Sequence, residues 1–382
     1  MSTAPQPDTS LSQAEAFARI RLLRSPNVGP VSYAQLLRRF GSGLAALEAL
    51  PDLASRGGGR YTIAPAARIE AEVLAVRRAG ARYLFHDSPD YPPLLRQSEG
   101  APPILIARGD PALASRPTVA MVGARNASAA AMKLARIYAS ELAARGFVVV
   151  SGLARGIDGA AHKGALAGAA EGGGTIGVIA GGIDVTYPPE HADLQEEIAT
   201  TGLLLTEQPP GTEPLARHFP ARNRIIAGLA IGTVVVEAAP KSGSLITARL
   251  AGEIGREVMA VPGSPLDARS QGCNQLIRDG ATLVQSAEDV IEVLSDFHGV
   301  PHLRLREPAA DAPDMDDLAE DGLAEIGVAD IATLLTTAPV AVDDLIRLSG
   351  AAPGAVQMAL LELELAGRLV RHAGGRVSLD PS

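Results

Sequence analysis

The sequence has no tryptophan, one cysteine, and only six phenylalanines and six tyrosines among its 382 residues. A single thiol, Cys273, excludes an intramolecular disulfide and a multi-cysteine metal cluster; with no base beside it in its Gly-rich loop, it reads as structural. No apolar run reaches the roughly 18 residues of a membrane-spanning helix, and the opening MSTAPQPDTS has neither a basic start nor an apolar stretch. The expectation is a cytoplasmic protein without membrane contact. Glycine is plentiful, yet no G-x-G-x-x-G loop follows an apolar run to open a helix, which disfavours a dinucleotide oxidoreductase. A Walker lysine pattern, a Ser/His/Asp chain order and a carboxylate pair with room for a water are missing too. No cofactor is implied.

Positive charge is scarce overall: the formal net charge is −9. Its distribution tells more than its sum. Residues 11–80 carry ten Arg against five acids, whereas 81–300 are nearly balanced with 18 basic and 23 acidic residues. From 301 onward six bases face 14 acids, and Glu307 to Glu325 hold eight acids without a base. The chain is a mildly basic head, a balanced middle, and an acidic linker with its tail.

What is present is hydrophobic patterning, with 47% apolar residues. Residues 1–10 are polar and expected to be disordered. LSQAEAFARIRLLRS and PNVGPVSYAQLLRRFGS have helical periodicity and are joined by a Val-Gly-Pro turn, giving a SAM-like or helix-hairpin-helix domain over 11–78. That turn either points N–H groups at a phosphate beside Arg38 and Arg39 or belongs to a helical bundle with solvated arginines. Apolar runs at TVAMV, FVVVS, TIGVIA, LLLTE, TVVVEA and EVMAVPG then alternate with helical stretches, as strands buried on both faces do. The fold class is α/β, a Rossmann-like doubly wound parallel sheet, within a domain spanning 79–299. An acidic linker at 300–320 leads to 321–382, whose short helices and Gly-Gly hairpin have the order of a winged helix. Its recognition helix carries Glu362 and Glu364 and no base, so a protein contact is favoured over DNA.

Open parallel sheets bind ligands beyond the carboxyl ends of their strands, and the chemistry-bearing residues follow each apolar run. In VGARNAS, Gly123 permits close backbone approach, Arg125 offers a forked donor and Ser128 caps a helix; the alternative is a cap and a surface arginine. SGLARGIDGAAH presents Ser151 and Gly152, then Asp158 and His162 four apart, which read as packing and capping before a metal or base. HFPARNR sets Arg217, Arg222, Asn223 and Arg224 around Phe219. Cations and a flat ring suit a single-stranded nucleic acid, while arginines at a helix start also suit a carboxylate partner such as Glu207 or Glu237. KSGSLITA offers Lys241, Ser242, Gly243 and Ser244 as a second phosphate-sized cradle.

VGAR, SGLARGIDGAAH, YPPEH, FPARNRIIAGL, EAAPKSGSLITA and VPG, in this order, resemble the DNA processing protein A (DprA, or Smf) family over about 70–299. The resemblance implies an extended Rossmann domain without enzymatic activity that binds and protects single-stranded DNA entering during natural transformation. It also implies help in loading the recombinase RecA and a homodimer formed through the same domain. DNA contacts would include Gly123, Arg125, Ser128, Ser151, Gly152, Phe219, Arg222, Asn223, Lys241 and Ser242 to Ser244, with Arg217 and Arg224 joining them from the residues' own chemistry. Two positions depart from the family's pattern: Ala124 where Ser is common, and Pro189 where many members carry a base. The second weakens a phosphate contact or moves it to Arg217. A different reading is a nucleotide-processing enzyme resembling nucleoside-monophosphate phosphoribohydrolases, with Glu237 at a strand end acting on a ribose.

Overall fold

The computed structural model describes residues 11–98, 100–169, 173–296, 327–372 and 374–380. The N-terminal ten residues and the acidic linker at 300–320 lie outside them. Contacts divide the chain into two compact units, one of residues 71–303 and one that joins the residues before 71 to the C-terminal segment.

The head is a set of amphipathic helices: α1 (Gln13–Leu23), α2 (Pro30–Phe40) and α3 (Gly43–Arg56), followed by α4 (Ala66–Arg78). Ser12 and Ser42 cap α1 and α3 by accepting from the amides of Glu15 and Ala45, while α2 starts at Gly29–Pro30 and stops at Gly41 in the left-handed region (φ 74°). Leu22, Leu36 and Leu50 form the buried centre.

The second unit runs β1 (Arg82–Phe85), α5 (Pro93–Arg96), β2 (Ile104–Gly109), β3 (Thr118–Val122), α6 (Ala129–Ala144), β4 (Val148–Ser151), α7 (Ile157–Gly168) and β5 (Gly174–Val178). It continues with α8 (Ala192–Thr201), β6 (Leu203–Thr206), α9 (His218–Leu229), β7 (Gly232–Val235), α10 (Gly243–Glu253), β8 (Glu257–Ala260), α11 (Gln271–Arg278), β9 (Thr282–Leu283) and α12 (Ala287–Asp296). Strand order is β1-β2-β6-β5-β4-β3-β7-β8-β9. From β6 to β9 all pairs are parallel; β1 and β2 add an antiparallel hairpin edge, β2 pairing antiparallel with β6. Alternate residues of β3 feed two cores: Val119 and Met121 pack on one face, Ala120 and Val122 on the other. The order turns back between β3 and β7, so the loops after these neighbours flank the crevice where ligands of open α/β sheets bind.

The C-terminal segment contains α13 (Val328–Leu334), β10 (Val340–Ala341), α14 (Val342–Ser349), α15 (Pro353–Leu365) and a hairpin of β11 (Leu369–His372) and β12 (Arg376–Leu379). This is the expected winged order, and α15 stands where a recognition helix would. Its Val356, Leu360 and Leu363 serve the winged core, while Leu361 and Leu365 join the core of the head. Asn27, in the head's hairpin turn, donates to the Leu365 carbonyl (3.2 Å), Gln35 bonds Gln357 (2.9 Å), and Arg368 donates to the Gly57 carbonyl (3.2 Å). A Cβ at Gly57 would fall 2.0 Å from the Glu362 carbonyl oxygen, so glycine is what lets the two backbones meet. Asn27 thus ties the hairpin turn to α15, while the space beside the turn's Gly29 is open, with nothing within 4 Å of a Cβ there. Both glutamates of α15 have arginine partners. Glu362 is buried near Arg56 (3.6 Å), its carboxyl raised above the usual value by burial, and Glu364 pairs with Arg371 (2.8 Å).

Candidate nucleic-acid interface

The loop after β3 is tight because Ala124 donates its amide to the Glu237 carbonyl across the crevice (2.7 Å). A Cβ at Gly123 would meet Ile157 at 2.5 Å and that carbonyl at 3.0 Å. Ser128 caps α6 by accepting from the Ala131 amide (3.1 Å). Its own amide (3.0 Å) and hydroxyl (2.7 Å) both donate to the Glu237 carboxylate. The anion at this helix start is therefore the protein's own side chain.

After β4 the chain turns through Gly152, whose amide (3.2 Å) and that of Ala154 (3.4 Å) donate to the buried Asp158 carboxylate. Arg222, from the first turns of α9, lies 4.0 Å from Asp158 and is itself only 5% exposed. A Cβ on Gly152 would sit 1.2 Å from the Arg222 guanidinium, so this glycine makes room for a cation. Burial pushes the Asp158 carboxyl up against the pull of Arg222, and burial likewise lowers Arg222. His162, also buried, approaches the Thr175 hydroxyl through Nδ1 (2.7 Å). That hydroxyl donates to the Val149 carbonyl, so Nδ1 carries the proton of a neutral ring; burial takes the imidazole down to about 3. Among the described residues no group of three or more His, Cys, Asp or Glu could hold a metal.

On α9, Phe219 carries the Arg125 guanidinium over its ring, 4.7 Å from the centroid. Asn223 donates to the Gly243 carbonyl (3.3 Å), tying α9 to the start of α10. There Ser242 caps α10, its hydroxyl 2.8 Å from that of Ser244, and the exposed Lys241 adopts a left-handed backbone (φ 68°), uncommon for a residue with a Cβ.

These loops enclose an open cavity of about 610 Å³ at the sheet's switch point. Gly123, Arg125, Phe219, Arg222, Asn223, Lys241, Ser242, Gly243 and Ser244 all line it. Gly152 lines an adjoining cleft with Phe219, Arg222 and Tyr187. Other expected contacts stand elsewhere. Ser128 is committed to Glu237; Ser151 is fully buried and donates to the Met121 carbonyl (2.6 Å). Arg224 pairs with Glu207 (2.5 Å) and donates to the Gly100 carbonyl (2.8 Å), the carboxylate-partner alternative. Arg217 is exposed at the N-terminus of α9, outside the cavity lining. Tyr187 and Asp158 are the residues that sequence reasoning did not place at the site. An aromatic in the loop after β5 was the available signal for the first; the second was read as a cap. Cys273 is buried, its thiol pushed up to about 11 by burial.

This is a doubly wound α/β protein with a cation-rimmed, aromatic-edged cavity at its switch point. The sequence matches the family model for DNA recombination-mediator protein A over residues 82–295, flanked by matches to a DprA-like N-terminal HHH domain at 13–75 and a DprA winged helix domain at 308–375. The chain belongs to the DNA recombination-mediator protein A (DprA/Smf) family. It is 44% identical over 225 residues to the DNA processing protein DprA of Bacillus subtilis, covering 59% of this chain and 75% of that one. It is 36% identical over 353 residues to a putative DprA of Mycobacterium tuberculosis, covering 89% of this chain and 85% of that one. The X-ray structure of DprA from Streptococcus pneumoniae superposes with a TM-score of 0.61 at 36% identity, over 74% of this chain and 98% of that one. DprA from Helicobacter pylori, whose structure concerns a single-stranded DNA binding mode, superposes with a TM-score of 0.50 at 29% identity, over 57% and 96%. No helix among the described residues is long and apolar enough to cross a membrane.

Proposed function

We propose that this chain binds single-stranded DNA without sequence preference along the switch-point cavity, protects the incoming strand, and passes it to the recombinase RecA during transformation. It acts without catalysing a reaction, in the cytoplasm, as a homodimer paired through the sheet domain. The observation that carries this reading is the Arg125 guanidinium on the Phe219 ring at a cavity that Lys241 also lines. Cations track phosphates, and flat groups receive bases of any identity. Arg125, Lys241 and the Ser242–Ser244 turn are the phosphate contacts, and Arg222 is the fixed positive charge of the floor. The nucleotide-processing alternative loses its carboxylate, since both Glu237 oxygens are held by Ser128.

Oligo(dT) affinity measured against salt tests this. Each neutralised phosphate contributes about −0.7 to the slope of log affinity against log salt. Arg125→Ala combined with Lys241→Ala should weaken binding and flatten the slope by about 1.4. Binding that ignores salt, or is unchanged in the double variant, refutes the reading. Incubation with AMP should release no base, and base release abolished by Glu237→Gln would favour the enzyme. A gel shift with and without RecA tests the hand-over.

A further inference from the structure

We propose that Tyr187 is the outer stacking platform of the strand: a nucleobase lies on its exposed face, with Phe219 as the buttress behind it. The inference rests on the single-strand reading above. Phe219 is the aromatic that sequence marks out, yet its ring already carries Arg125 at 4.7 Å and is only partly exposed. The Tyr187 ring packs on it with centroids 5.8 Å apart and planes at 58°. Tyr187 nevertheless keeps 45% of its surface open, and among the described residues no other Phe or Tyr is exposed to that class. An aromatic ring half out of the protein, held in place by a second ring, offers a flat apolar face at little cost in ordering.

Its position fits a strand's path. Tyr187 borders the cleft that adjoins the main cavity and shares Phe219 and Arg222 with it. Arg125, Phe219 and Tyr187 therefore form a run of contacts leading from the loop after β3 to the loop after β5. In that loop, whose residues 187–191 include no Lys or Arg, a ring supplies affinity through stacking in place of charge. Arg155, the nearest arginine of the neighbouring loop, is tied up in a bidentate pair with Glu190.

Oligo(dT) and a matching abasic strand, which keeps the phosphates and lacks the bases, separate stacking from support. Tyr187→Ala should weaken oligo(dT) binding about tenfold at unchanged salt slope and leave the abasic strand unaffected, while Tyr187→Phe binds like the native chain. Because the chain has no tryptophan, Tyr187→Trp supplies a lone indole, excitable at wavelengths tyrosine does not absorb, whose fluorescence oligo(dT) should quench and the abasic strand should not. Oligo(dT) affinity of Tyr187→Ala within twofold of native overturns the proposal while leaving single-strand binding intact. An equal loss on the abasic strand also overturns it, because the ring then only supports Phe219. Absence of oligo(dT) binding by the native chain removes both readings together.

Discussion

Gly152 and Arg222 show how one residue's smallness decides where another's charge can go. Arg222 reaches the cavity floor only because no Cβ occupies the space beside its guanidinium. Gly152→Ala should destabilise the sheet domain by about 1–3 kcal/mol, since the buried Arg222–Asp158 pair has no room to yield. Chemical denaturation checks this, and a change below about 0.5 kcal/mol would mean the pair repacks freely. His162 makes a pH prediction. Its folded value near 3 lies below the ordinary 6.5, so between these limits the unfolded chain binds a proton that the folded chain refuses. Stability contributed by the neutral ring is thus present above about pH 6.5 and lost on acidification, at up to about 1.4 kcal/mol per pH unit. Melting temperatures from pH 7 to pH 4 should fall more steeply for the native chain than for His162→Gln. These effects were hidden from sequence because they depend on what stands opposite. Ser128 looked like an open anion site, and Glu237, 109 residues away, fills it.

At the scale of elements, α15 is the informative case. A recognition helix needs one face free to enter a groove. Here apolar residues on both sides are spent, some on the winged core and some on the head. Deleting residues 321–382 should leave oligonucleotide affinity nearly unchanged, because the cavity is built wholly by the other unit. The same deletion should speed hydrogen exchange in α1 to α3, whose core loses Leu361 and Leu365. A tenfold drop in affinity would assign DNA contact to the winged segment. The absence of basic residues from α15 was legible in sequence. Its packing against the head was not, since nothing in the local pattern says that Gly57 is spaced to receive the Glu362 carbonyl.

For the whole molecule, a net charge of −9 and a polyanionic ligand are compatible because charge is segregated. The cavity gathers Arg125, Arg222 and Lys241 against the single buried carboxylate of Asp158, while much of the acidity lies late in the chain. Affinity should accordingly be steeply salt-dependent in spite of an acidic surface. If the sheet domain pairs as proposed, sedimentation equilibrium should return twice the chain mass of 39.3 kDa at micromolar concentration, and a monomer there would remove the pairing.

The order of apolar runs and helical stretches determined the α/β sheet, because strands buried on both faces leave continuous Val/Ile runs that local chemistry alone writes. It also determined which loops carry cations, glycines and an aromatic, and placed them at strand ends. Tertiary structure decided which of those groups remain available. Side chains far apart in sequence compete for the same partners across the switch point: Glu237 takes Ser128, Glu207 takes Arg224, Arg125 covers Phe219, and Tyr187 is left with its ring in the open.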